Sequence, residues 1–187
     1  RCGVEVVVVD NASTDGTQAQ LGERFPQAQL IQNTGNVGFG RANSQGMAVA
    51  RGRYLLLLNS DAFMDAGALD VLVDYLNAHE RVACASPRLR YPDGRLQPSC
   101  YMFPTLASEV LAMFWLDKIF LRRPVADPYH MDRWDMSAPR EVDSVMGACM
   151  LIRREALGSE PLFDPRFFMY SEEVDLCFRL HKRGYSI

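Results

Sequence analysis

In "YLLLLNSDAFMD" (54–65) four leucines run straight into Asn59, Ser60 and Asp61. A carboxylate at the end of so apolar a run can reach a hard divalent cation. Mg²⁺ or Mn²⁺ takes one or two protein carboxylates and completes its shell with phosphate oxygens and water. Asn59 could orient Asp61 or touch a bound sugar. The competing reading is a turn in which Asp61 caps a backbone group. "MYSEEVDL" (169–176) places Glu172, Glu173 and Asp175 at a helix start. One such carboxylate, set near a hydroxyl, could take its proton as a general base. Acids at that position also complement the helix dipole with no further role. Asp10-Asn11 and Asn33 close two other apolar stretches. "GNVGFG" (35–40) is GxxGxG, neither the dinucleotide GxGxxG nor a P-loop with its Lys-Ser/Thr. Its glycines suit close backbone approach to a ligand, or simply a turn. Gly147-Ala148-Cys149 is small enough for the same two uses. Phe163, Phe167, Phe168 and Tyr170 form either a sugar-stacking wall or core.

These residues need elements to position them. "EVVVVD" (5–10), "AQLIQN" (28–33), the leucine run and "RVACAS" (81–86) read as strands, and continuous apolar runs suit parallel strands buried on both faces. Helices are expected between them: one with Leu21 and Phe25 inward ending before Pro26, one over 41–51, and one capped by Asp65 that carries Leu69, Leu72, Val73 and Leu76. Alternation of this kind argues for a mostly parallel α/β sheet flanked by helices, with ligands beyond the carboxyl ends of its strands. After residue 87 the rhythm changes. Residues 88–99 read as a hairpin around Pro92-Asp93-Gly94, 105–121 as an apolar helix, 122–141 as a loop, 142–157 as a strand entering a turn, and 171–184 as a helix.

Composition excludes several classes. The net charge of -3 has no basic stripe, so nucleic acid is not an expected partner. The 5 cysteines are odd in number and lack CxxC spacing, which fits reduced, buried thiols of a cytoplasmic protein better than a disulfide frame or zinc site. His79, His130 and His181 lack ligand spacing and are expected on the surface. The chain starts without Met and stops at what reads as the beginning of a strand, so a single domain over 1–187, truncated at both ends, is expected.

Together, "VVVVDNASTDGT" (6–17), "NTGNVGFGRANSQG" (33–46), "LLLLNSDA" (55–62), "EVDSVMGACMLIRRE" (141–155) and "FDPRFFMYSEEVDLCFRLHKRGY" (163–185) resemble the family 2 glycosyltransferases of the GT-A fold, in the bacterial rhamnosyltransferase-like branch. The resemblance covers nearly the whole chain. It implies an inverting transfer of a sugar, rhamnose among the candidates, from a nucleotide-diphosphate donor to an acceptor hydroxyl in polysaccharide or cell-wall assembly. By the same resemblance Asp10 meets the nucleobase of the donor, and Asn11 beside it is a nucleotide-sugar-binding residue. Asn33, Gly38, Asn43, Asn59 and Gly147 line the nucleotide-sugar pocket. Asp61 holds Mg²⁺ or Mn²⁺ on the diphosphate, and Glu173, beside Glu172, is the base.

Three departures stand out. Asn59 replaces the first acid of the DxD motif, Glu173 replaces the usual Asp, and the family's first strand, one wall of the nucleobase pocket, is missing. The last departure predicts poor donor binding by this stretch alone. A glycan or lipid-linked acceptor is implied, and with it a place at the inner face of the cytoplasmic membrane. Glu109, Asp117 and Lys118 interrupt the 105–121 helix, so packing against the sheet or a second copy of the chain competes with lying on a bilayer. Two rivals remain: a nucleotidyltransferase of related fold, and a non-catalytic nucleotide- or glycan-binding module.

Overall fold

The computed structural model describes residues 3–106, 110, 113, 131 and 134–187. The helix expected over 105–121, much of the loop expected at 122–141, Cys2 and His130 lie outside the described residues. The chain opens with a βαβ unit: β1 (Val7–Asp10), α1 (Thr17–Arg24) and β2 (Gln29–Gln32). β1 and β2 pair in parallel from Val7↔Gln29 to Asp10↔Gln32, so Asp10 and Asn33 leave the sheet at one edge. α1 starts at Gly16, whose φ of 86° a side chain would oppose. Of the two residues expected to point inward, Leu21 is half-buried and Phe25 is not buried. α1 has no buried residue, and Phe25 is 46% exposed.

β1 also departs from burial on both faces. Val7, Val8 and Val9 are only half-buried, because β1 has a ladder on one side and a helix on one face. That helix is α2 (Phe39–Val49). It sits close because Gly46 has no side chain; a Cβ there would be 3.3 Å from Val9 Cγ2. β3 (Tyr54–Leu58), α3 (Ala68–Ala78) and β4 (Cys84–Ala85) follow. α3 begins two residues later than Asp65 as its cap predicts. Gly67 is its cap, and the Asp65 carbonyl accepts the Ala68 N–H at 3.1 Å. Residues 88–99 form the expected hairpin, with Arg90 opposite Leu96.

The segment 142–157 resolves into β6 (Ser144–Val145), β7 (Cys149–Arg153) and a short α4 (Arg154–Leu157), with β6 paired to β5 (Cys100–Tyr101). β7 is the centre of the molecule. It lies antiparallel between β3 and β4, and every one of its residues is buried. β3 and β4 therefore run parallel to each other without touching. The α/β class stands, with an antiparallel strand inserted where direct parallel pairing is the simplest expectation. Alternation along β7 sends Met150 and Ile152 to one core and Leu151 to the other. The first core includes Leu55, Leu57 and Leu162, and residues of the last helix, α5 (Glu172–Lys182): Leu176, Cys177 and Leu180. The second holds Leu72 and Leu76 of α3. Past α5, Ser186 forms an isolated parallel bridge with Val82.

Two adjacent arginines close the ends of two helices. Arg153 is 1% exposed and donates to the carbonyls of Leu76, His79 and Val82 at the end of α3. Arg154 donates to Ala50 and Gly52 at the end of α2, each at 2.7 Å. Each reaches a carbonyl at a helix end, Leu76 of α3 and Ala50 just past α2, that the helix terminus leaves without an intrahelical donor. Cys84, Cys100, Cys149 and Cys177 are free and buried, as expected, and burial pushes the Cys177 thiol up to about 12. His181 is not a surface residue: half-buried, its Nε2 lies 3.2 Å from the Asp143 carbonyl and its ring packs edge-on against Phe103.

Candidate active site

The predicted residues fall into three groups. The first gathers where β1 and β2 end. Asp10 is 4% exposed. Its Oδ2 accepts the Ser13 N–H at 3.1 Å and the Gln18 Nε2–H at 2.6 Å. Hydrogen bonds from Ser13 and Gln18 hold its carboxyl below the ordinary value, so it stays ionised and shapes the loop that follows. Asn33 donates to Asn11 Oδ1 and to Gln45 Oε1, and Gln45 donates back to Asn33 Oδ1, all at 2.9 Å. Sequence reasoning does not reach Gln18 and Gln45. The available signal is that a half-buried amide such as Asn33 needs polar partners, but which helix supplies them is set by tertiary packing. Asn43 bonds within its own helix, to the Phe39 carbonyl at 3.0 Å.

The second group follows β3. The Asn59 N–H donates to the Ala148 carbonyl at 3.0 Å, tying the start of the loop to the start of β7. Asp61 is exposed and makes no hydrogen bond or ion pair among the described residues. No group of three or more His, Cys, Asp or Glu side chains able to hold a metal exists among the described residues. An uncommitted carboxylate without companions fits a cation that brings most of its ligands with it, as a diphosphate-bound Mg²⁺ or Mn²⁺ does.

The third group surrounds the start of α5. Tyr170 and Ser171 both have positive φ, 69° and 68°, although neither is glycine. Ala12, beside Asp10 and Asn11, has φ 66°. Strained backbone thus lies at both ends of the predicted site, where the surrounding structure must enforce it. Ser171 caps α5 without a side-chain hydrogen bond. Glu172 is 3% exposed, and Oε2 of both Glu172 and Glu173 is buried without a hydrogen-bond partner. Burial pushes the Glu173 carboxyl above the ordinary 4.5; its own amide opposes the rise and the Glu172 charge adds to it. A half-buried carboxylate with one unused oxygen and raised basicity is equipped to accept a proton.

Small residues join the second and third groups. A Cβ on Gly147 would lie 3.4 Å from the Phe39 ring, which also packs on Phe163 at 6.0 Å between centroids. Phe39 is therefore wedged between the start of β7 and the segment leading to α5. The wall predicted from four aromatics divides: Phe163 is core, Phe167 is half-buried, and Phe168 and Tyr170 are exposed. No hydrogen bond among the described residues links the Asn33 cluster directly to Asp61 or to the glutamates. α2 spans the gap, with Phe39 at one end and Gln45 further along.

Comparison with known proteins bears on the family and the fold. Residues 2–159 match the family model described as glycosyl transferase family 2. An N-acetylglucosaminyl-diphospho-decaprenol L-rhamnosyltransferase of Mycobacterium tuberculosis is 34% identical over 97% of this chain and 62% of its own length. The O-antigen biosynthesis protein RfbC of Myxococcus xanthus is 29% identical over 98% of this chain and 14% of its own. Among solved structures, a mannosyltransferase from Pyrobaculum calidifontis in complex with GDP-Man and Mn²⁺ superposes with a TM-score of 0.60 at 21% identity, covering 97% of this chain and 44% of that one. TarS of S. aureus gives 0.58 at 17% identity, over 94% and 45%. These two share the fold. The chain thus spans less than two thirds of the length of these relatives. The family match ends before α5, so Glu172 and Glu173 rest on their geometry and on the likeness to the rhamnosyltransferase, which extends over 97% of this chain.

Proposed function

Because the chain belongs to glycosyl transferase family 2, we propose that it forms the catalytic core of an inverting enzyme that moves a sugar from a nucleotide diphosphate to an acceptor hydroxyl. The observation that carries this reading is the pair of buried, unpartnered carboxylate oxygens on Glu172 and Glu173 at the start of α5. Glu173 takes the proton of the acceptor hydroxyl as its oxygen bonds to the anomeric carbon. The bond from that carbon to the diphosphate breaks on the opposite face, and the electron pair leaves with the nucleotide. One base and no protein nucleophile give inversion in a single displacement. Asp10, Asn11 and Asn33, with Gln45 behind them, form a rigid polar edge for the nucleoside end.

Asp61 is the residue that would hold a divalent ion, supported by a carboxylate with no hydrogen bond or ion pair among the described residues and by the Mn²⁺ of the mannosyltransferase complex that shares this fold. When bound, the ion would neutralise charge on the departing diphosphate. The likeness to the decaprenol-linked enzyme favours rhamnose as the sugar and a lipid-linked glycan as the acceptor, at the cytoplasmic face of a membrane. No helix among the described residues is long and apolar enough to cross a membrane. The family match favours this reading over the nucleotidyltransferase.

In the full-length protein, Glu173→Gln abolishes transfer and leaves donor affinity within about threefold of the parent, a change under ~1 kcal/mol. Single-turnover kinetics and calorimetry measure the two quantities. Parent-like turnover in the variant would remove Glu173 from the mechanism.

A further inference from the structure

Gly38 is buried, with φ 87° and ψ 164°, a backbone conformation open to glycine almost alone. A Cβ at this position would lie 2.5 Å from the Phe168 carbonyl oxygen and 2.8 Å from Phe168 Cδ2. The close approach that this loop permits is thus made by the chain itself, from the segment that leads into α5. Three further contacts fasten the two segments. The Phe39 N–H donates to the Phe168 carbonyl at 3.0 Å. Arg41 Nε donates to the Pro165 carbonyl at 3.2 Å. A Cβ on Gly40 would stand 3.3 Å from Phe163 Cβ and 3.5 Å from the Phe167 carbonyl. The Asn36 side chain accepts the Gly38 N–H at 2.9 Å and holds the loop from its other side.

The fastened carbonyl, at Phe168, is followed two residues later by the left-handed pair Tyr170–Ser171, and then by Glu172 and Glu173. Ser171 makes no side-chain cap, its carbonyl accepts the Asp175 N–H at 3.0 Å as α5 begins, and Phe168, Met169 and Tyr170 are exposed. Consecutive non-glycine residues at positive φ persist only where other contacts impose them. The contacts from the glycine loop reach Phe163, Pro165, Phe167 and Phe168, up to two residues before the pair.

We propose that Gly38 is a positioning residue for Glu173: by admitting the Phe168 carbonyl against its Cα it locks the 168–171 turn, and the turn sets the base. This rests on the reading of Glu173 as the base. It makes the glycine loop a mechanical link between the donor side of the site and the proton acceptor.

The test uses Gly38→Ala in the full-length protein, with hydrogen exchange read at the amides of 169–175 and the pH profile of kcat read alongside. Exchange over 169–175 rises at least about tenfold, while α3 keeps its parent rates. kcat falls by about 100-fold, the scale of a misplacement near 1 Å, with donor KM changed far less. The acidic limb of kcat moves to lower pH as the carboxyl loses its buried setting. Should Gly38→Ala fold poorly, Phe39→Pro is compared with Phe39→Leu. Both lose the ring, but only proline lacks the N–H, and proline is tolerated at the first position of a helix. Faster exchange in the proline variant than in the leucine variant supports the link.

Parent-like exchange over 169–175 in both Gly38→Ala and Phe39→Pro overturns the proposal. So does unchanged kcat and pH profile in Gly38→Ala when Glu173→Gln is inactive. The exchange measurement needs neither donor nor turnover. If Glu173→Gln proves active, the base assignment fails, and exchange alone decides whether Gly38 holds the turn.

Discussion

Glu173 carries a raised pKa, and the sign of that shift fixes a rate profile. The base is protonated and idle below its own pKa, so the acidic limb of kcat/KM lies above the ordinary glutamate value of 4.5. Glu172→Gln removes a neighbouring negative charge that helps raise it, and the limb then moves to lower pH in the full-length enzyme. A limb that stays in place or moves upward contradicts the pairing. The same shift has a stability sign. The folded chain binds this proton more readily than the unfolded one, so the group favours folding as pH falls through its raised pKa and disfavours it as pH rises. The residue types were legible from sequence: acids at strand ends and a helix start, and glycines where backbones meet. Their partners were not. Gln45 sits on α2 and Phe168 lies far along the chain from Gly38, and no local pattern pairs residues across such separations.

Among the elements, α2 and β7 do most of the positioning. α2 fastens the base turn through Phe39 and the nucleoside edge through Gln45, and Arg154 secures its far end. β7 ends in Arg153, whose guanidinium serves three carbonyls at the end of α3. Arg153→Met keeps the volume and removes the donors. Leaving buried carbonyls unpaired lowers stability by about 3 kcal/mol, read as a drop in the urea midpoint at unchanged slope. A midpoint equal to the parent's shows that water replaces the guanidinium without penalty. "ACMLIRR" was legible as a strand from its apolar run, and its flanking glycine as a close approach. Its insertion between β3 and β4 was not, because strand order is a property of long-range pairing. The late start of α3 has the same origin: Gly67 supplies the left-handed turn at the position where the helix begins, and the polar Asp65 precedes it.

For the molecule as a whole, alternation of strand and helix was enough to indicate an α/β fold. The half-exposed β1 was not foreseen. An all-valine run signals burial, yet its surroundings here cover one face and one edge. The four thiols at Cys84, Cys100, Cys149 and Cys177 offer a different use of the core. Each is buried and free, and burial raises its pKa, so a water-soluble thiol reagent meets neither access nor thiolate in the folded state. Labelling of these positions must wait for the core to open. In a Cys2→Ser background, reagent uptake is expected to be slow and to speed up in step with urea, whereas a rapid burst in buffer would mean that the core breathes on its own. The protein therefore carries a built-in clock for its own opening, readable by mass without any engineered probe.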